Sequence, residues 1–132
     1  MSWCRWSTDI DNDRQSDLYI YESVANTITV HIAGRRRINY KDCPHKTKNI
    51  LDVPKDEIVK WAESRMNRDS WISKNSVFED LPVEYAGKTF NFGYDELDAL
   101  KLFLDQCEID GINFPKYIYE YIEETRKEHK HD

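Results

Sequence analysis

No apolar run in this chain approaches the ~20 residues needed to cross a bilayer, so a membrane-spanning helix is not expected. The first residues, MSWCRWSTDI, lack the apolar stretch of a signal peptide. Glycine and proline are scarce, at 4 each, which excludes collagen-like and Pro/Gly-rich low-complexity character. Cysteine is scarce as well. Three of them, Cys4, Cys43 and Cys107, form neither an even disulfide framework nor a Cys-x-x-Cys pair, and reduced thiols in a cytoplasm are expected. A phosphate loop, a nucleophile elbow and a helix-borne His-Glu motif are all missing from the sequence. No cofactor is implied by what remains.

What is there suits one domain over 1–132, with 39% hydrophobic, 13% aromatic and 33% charged residues. The net charge of −6 is unevenly spread. Residues 1–50 carry 8 Lys and Arg against 6 Asp and Glu, whereas residues 51–132 carry 11 against 19. An acidic whole disfavours duplex nucleic acid, where neutralising phosphate supplies much of the affinity. A local basic stretch remains: Arg35, Arg36 and Arg37, followed by Lys41, Lys46 and Lys48.

Periodicity predicts an α+β fold, with an N-terminal antiparallel hairpin or small sheet packed against about three α-helices. Residues 1–40 read as β-rich. Asp17–Val24 is rich in strand formers, and Thr27–Ile32 alternates with Ile28, Val30 and Ile32 on one face. The short Asn-containing link between them fits a hairpin turn, and Arg35–Tyr40 starts a third strand. Helices are expected over 52–72, 94–110 and 115–129. In the first, Asp52 is the cap, Pro54 enters the first turn, and Ile58, Val59, Ala62 and Met66 form the apolar stripe. In the second, Leu97, Leu100, Phe103, Leu104 and Cys107 face inward and Gly111 stops the helix. The third buries Ile118, Tyr121, Ile122 and Thr125, and its tail from Arg126 frays, carrying His129 and His131. Between the first two helices, residues 81–92 read either as a ribbon around Gly87 or as a packed loop.

Candidate metal sites fail on spacing. Asp9-x-Asp11-x-Asp13 begins like a calcium loop, but Arg14 stands where glycine is needed and Ile20 where glutamate is needed. Cys43, His45, Cys4 and His31 have no paired spacing for a tetrahedral ion. The strongest cluster is His31 to Arg37. A glycine turn exposes backbone N–H groups there, and arginine forks match phosphate oxygens in pairs. Tyr19 and Tyr21 share one strand face, His31 points away from Val30 and Ile32, and Arg5, Trp6 and Trp3 lie near in sequence. Such rings suit a nucleobase. The ordinary alternative is that the arginines guard a strand edge and the rings fill the core.

The runs Cys4-Arg5-Trp6-Ser7, Asp17 to Glu22 and His31 to Arg36, with Gly111 to Ile118 near the end, resemble a group of small, mostly uncharacterised tailed-phage and prophage proteins. Many of those have cysteine where this chain has Ser16, and the departure argues against a disulfide or metal pairing of Cys4. The resemblance implies a phage accessory protein of the bacterial host cytoplasm that counters host defence. The expected activity is non-catalytic capture of a small anionic, nucleotide-type signal by Arg35, Arg36, Arg37, His31, Tyr19, Tyr21, Arg5 and Trp6. Homo-oligomerisation is a secondary expectation. A second reading is an acidic interaction module, centred on 51–132, that inhibits a host defence protein. A third is a small phosphodiesterase-like enzyme using His31 with Cys4 or Asp17.

Overall fold

The computed structural model describes residues 2–11, 14–38 and 42–129. Its centre is the hairpin that the alternation predicts. Strand β4 (Leu18–Glu22) pairs antiparallel with β5 (Thr27–Ile32), with Leu18 opposite Ile32 and Glu22 opposite Ile28. Asn26 closes the turn at a φ of 60°, a left-handed conformation that asparagine enters more readily than most residues. The hairpin becomes a four-stranded antiparallel sheet in the order β1-β4-β5-β8, by addition of β1 (Ser2–Cys4) and β8 (Thr89–Gly93) at its two edges. Residues 81–92 thus divide. Thr89 onward joins the sheet, while Leu81 to Lys88 is a turn whose Tyr85 hydroxyl donates to Asp110 at 2.6 Å.

Two small ribbons flank the sheet. One pairs β2 (Asp9–Asp11) with β3 (Arg14–Gln15). The other pairs β6 (Arg35–Arg37) with β7 (Phe78–Asp80). The expected third strand therefore exists but leaves the main sheet, and residues 39–40 lie outside the described residues.

Strand alternation gives the sheet two unlike faces. Leu18, Ile20, Ile28, Val30 and Ile32 are fully buried beneath α2 (Leu97–Ile109) and α3 (Ile118–Glu128), against Leu100, Leu104, Ile118 and Ile122. Each such side chain contributes about 1.5–3 kcal/mol by leaving water. The inward residues of α2 are those expected, and Gly111 ends it at a φ of 81°, where a Cβ would be strained. The end of α3 departs from expectation. Arg126 pairs with Asp98 at 2.8 Å and His129 stacks on Tyr94 at 3.8 Å, so the chain is held down as far as His129. His131 lies outside the described residues.

The first helix, α1 (Ile58–Asn75), contradicts its predicted stripe. Val59 and Met66 are more than two-thirds exposed, and the buried residues are Arg68 and Ile72. Arg68 reaches Asp9 of β2 at 3.1 Å, and Arg65 reaches the same carboxylate at 2.6 Å. Ile72 packs with Cys43 and Trp71 in a small separate cluster. The helix also starts later than expected. Two single 3-10 turns, Ile50–Asp52 and Lys55–Glu57, precede it, and Asn49 rather than Asp52 caps the first by accepting from the Leu51 N–H. Met66→Ser is accordingly expected to change stability by less than about 0.5 kcal/mol in a urea melt, as for other exposed sites.

Candidate functional site

The chain between β1 and β2 turns tightly at 5–8, where the Thr8 N–H donates to the Arg5 carbonyl and the Arg5 N–H to the Thr8 hydroxyl. That turn sends Trp3 and Trp6 to opposite sides. Trp3 is buried, donates to Glu22 at 3.1 Å and meets Tyr121 at 5.8 Å, so it belongs to the core and not to a ligand site. Trp6 stays outside, 41% exposed.

From Trp6 the expected residues separate into two adjoining groups. The first lines a cavity of about 210 Å³ bounded by Trp6, Arg14, Asp17, Phe78 and all three of Arg35, Arg36 and Arg37. Strand alternation divides the three arginines. Arg35 and Arg37 lie on one side of β6 with their guanidiniums 4.4 and 5.5 Å from the centroid of the Phe78 ring. Such cation–π contacts contribute about 0.5–1 kcal/mol each at exposed positions. Arg37 also donates to Ser76 at 2.9 Å and Gln15 at 2.8 Å. The Arg35 guanidinium makes no hydrogen bond among the described residues, so its five N–H donors remain for a ligand.

Arg36 turns the other way. One nitrogen donates to Asp17 at 2.7 Å and to the Gly111 carbonyl at 2.9 Å. Asp17 is 3% exposed and also accepts from the Asn113 N–H at 2.7 Å. Burial pushes the Asp17 carboxyl up from its usual value, more strongly than the Asn113 and Arg36 interactions pull it down. Arg36 thus fastens the β6 ribbon to the α2–α3 connection and is largely committed to structure.

The second group occupies the outer face of the sheet. Tyr19, Tyr21 and His31 lie there partly exposed, on the side away from Val30 and Ile32, as alternation predicts. Trp6 meets Tyr19 at 5.9 Å, and Tyr19 meets Tyr21 at 5.4 Å. The His31 imidazole is held across three strands, with Nε2 3.1 Å from the Tyr21 hydroxyl and Nδ1 2.7 Å from the Thr89 hydroxyl. None of these three lines the cavity, and neither does Arg5, which is exposed at its turn.

The remaining candidates go elsewhere. Lys46 and Lys48 border a different cleft beside Trp61, so the basic stretch does not converge on the arginines. Lys41 lies outside the described residues. Cys4 is buried, bonding the Leu18 carbonyl at 3.2 Å and lying 3.6 Å from the Ser16 hydroxyl, on the face opposite His31. In the acidic loop Asp9 is held by Arg65 and Arg68 and Asp11 by Arg14 at 2.8 Å, while Asp13 lies outside the described residues. Phe78 and Arg14 were not expected at the site. Phe78 is brought to Arg37 by a pairing across 40 intervening positions that no local pattern announces, though an isolated aromatic beside Glu79-Asp80 is a weak strand signal.

All three cysteines are buried as free thiols, and burial raises Cys4 and lifts Cys107 to about 11. Thiolate is the reactive form. Native protein is therefore expected to leave its thiols unmodified by a disulfide reagent at neutral pH, and unfolded protein to titrate all three. Among the described residues no helix is long and apolar enough to cross a membrane. Comparison of the chain with protein-family models, curated proteins and solved structures finds no match.

Proposed function

We propose that this protein captures, without converting it, a small anionic ligand of the nucleotide class, with phosphate oxygens on Arg35 and Arg37 and the base against Trp6 and Tyr19. The observation that carries this reading is the cavity itself, where four arginines and two aromatic rings face one buried carboxylate that Arg36 already occupies. Arginine forks pair with phosphate in two parallel hydrogen bonds, and the Phe78 ring holds two of them in place before a ligand arrives. A volume of about 210 Å³ is below the ~300–1,000 Å³ of cavities that enclose whole small molecules. It suits a phosphate and sugar, leaving the base on the exposed Trp6 ring. A second copy closing the open side is the accompanying expectation.

The N-terminal resemblance supplies the setting proposed here, a phage accessory protein that removes a defence signal in the bacterial cytoplasm. The alternative, an acidic surface that inhibits a host defence protein, is weaker because several C-terminal acids are engaged within the chain. Asp98 pairs with Arg126 at 2.8 Å, Glu108 with Lys116 at 3.1 Å, and Asp105 accepts from Tyr119 at 2.9 Å.

Equilibrium dialysis against a panel of cyclic and ADP-ribose-containing nucleotides tests the proposal, with native mass spectrometry counting protein copies and identifying the bound species. Retention of a member that is recovered chemically intact is expected, weakened about 30-fold or more by Arg35→Glu, as for a residue central to binding. Retention of none removes the proposal. Recovery of a cleaved product replaces it with the enzymatic reading.

A further inference from the structure

The outer face of the sheet is more than the cavity needs. Tyr21 and His31 lie 5.5 Å apart with their rings tilted by only 30°, and make up its floor. Tyr19 stands almost perpendicular to both, at 89° and 80°, as a wall between that floor and Trp6. Hydrogen bonds of His31 to Tyr21 and Thr89 hold the floor rigid. Polar groups at its border are unused. The Tyr19 hydroxyl, the Trp6 indole N–H and the Asn91 amide N–H groups have no partner among the described residues, while the Asn91 oxygen accepts from Thr29 at 2.8 Å. Helices α2 and α3 pack on the opposite face and leave this one open.

We infer that this face binds a short linear single-stranded nucleic acid, with successive bases on Tyr21/His31 and on Trp6 and a backbone phosphate in the arginine cavity. The inference rests on the cavity as an anion-binding end. Bases of a single strand are free to stack on protein rings, whereas those of a duplex are already stacked on one another. Wall and floor give a base one stacking surface and one edge contact. Charge sets the limit on length. Near this path the available cations are Arg35, Arg37 and Arg5, in a chain of net charge −6, so only two or three phosphates are neutralised. Stacking therefore carries most of the affinity. The salt dependence is correspondingly shallow, with a log–log slope of about −2 for three phosphates on a single strand.

The test is fluorescence anisotropy of labelled hexathymidylate and of a labelled DNA hairpin duplex, titrated with the full chain over a range of salt. Expected are at least tenfold tighter binding of the single strand, the shallow slope, and a loss of about tenfold with Tyr21→Leu or Tyr19→Leu. Tyr19→Phe keeps the ring and loses no hydrogen bond within the described residues, and is expected to retain binding within about threefold, which separates stacking from a folding defect. Equal affinity for duplex, ring removal without effect in a folded variant, or no binding at about 100 µM overturns the inference. Its failure is distinguishable from failure of the cavity reading. Small nucleotides retained in dialysis with the single strand unbound remove this inference alone, and loss of both removes both.

Discussion

Asp17→Ala is expected to lower folding stability by about 3 kcal/mol, because it removes the one acceptor shared by two donors, each costing about 1–3 kcal/mol when left unsatisfied. Asp17→Asn is expected to stay within about 1 kcal/mol of the wild type, because the oxygen that matters is preserved. That oxygen accepts from Arg36 and from the Asn113 N–H, and alanine takes the acceptor from both donors. The charge itself is not the asset. Burial raises the Asp17 carboxyl above its usual 3.8, so the folded state holds the proton more tightly than the unfolded state does. The favourable contribution of the protonated form is complete below 3.8 and is lost as pH rises through the folded-state value. Relative to Asp17→Asn, the wild type should therefore gain stability on acidification from neutral pH. Urea melts of the three proteins from pH 7 down to pH 4 check this, and a wild type that loses ground to the Asn variant on acidification contradicts the account.

Asp9→Ala is expected to cost about 3 kcal/mol by the same logic, but with the damage confined to one region. Its carboxylate is shared by Arg65 and Arg68, and Arg68 is only 2% exposed. Without Asp9, Arg68 keeps Asp69 at 3.6 Å, and α1 loses two ion pairs to the β2 ribbon. Hydrogen exchange is the informative measurement. Amides of α1 should exchange much faster in the variant, while those of β4 and β5, buried beneath α2 and α3, keep their protection. Uniform loss across the sheet would show instead that α1 and the sheet open as one unit.

The parts of this fold that were legible in sequence are those specified by local periodicity. Leu18 to Ile32 alternates over two runs joined by a short turn, and the two-faced character of the hairpin follows from it, whereas the register, Leu18 opposite Ile32, does not follow from alternation alone. Leu97 to Cys107 repeats at helical spacing, and Gly111 marks its end. Where a polar anchor outweighs apolar spacing, periodicity points the wrong way. In α1 the sequence presents Ile58, Val59 and Met66 as a stripe, yet the helix is oriented by two arginines bridging to Asp9. Pairings distant in sequence are equally silent. The Arg35–Arg37 strand was recognisable, but not that it leaves the sheet to join Phe78–Asp80. The site was half legible for that reason. Trp6 and the arginines share a cavity, and the tyrosines and His31 share a face, as strand parity implies. That Trp3 belongs to the core depends on the 5–8 turn, whose sense no pattern in CRWS discloses.

The position of β8 also bears on how the chain reaches this arrangement. Tyr21 finds Thr29 within its own hairpin, but His31 must find Thr89 across 58 positions. Closing the longer loop costs about 2 kcal/mol more in chain entropy than closing the shorter one. The hairpin thus has the smaller entropy to overcome and the fourth strand the larger. Until β8 adds across the 33–88 excursion, Val30 and Ile32 have an open neighbour on one side. The β6–β7 ribbon, which carries three arginines and Phe78 of the cavity, lies inside that excursion, and its pairing draws the ends of the excursion together and so shortens the loop that β8 must close.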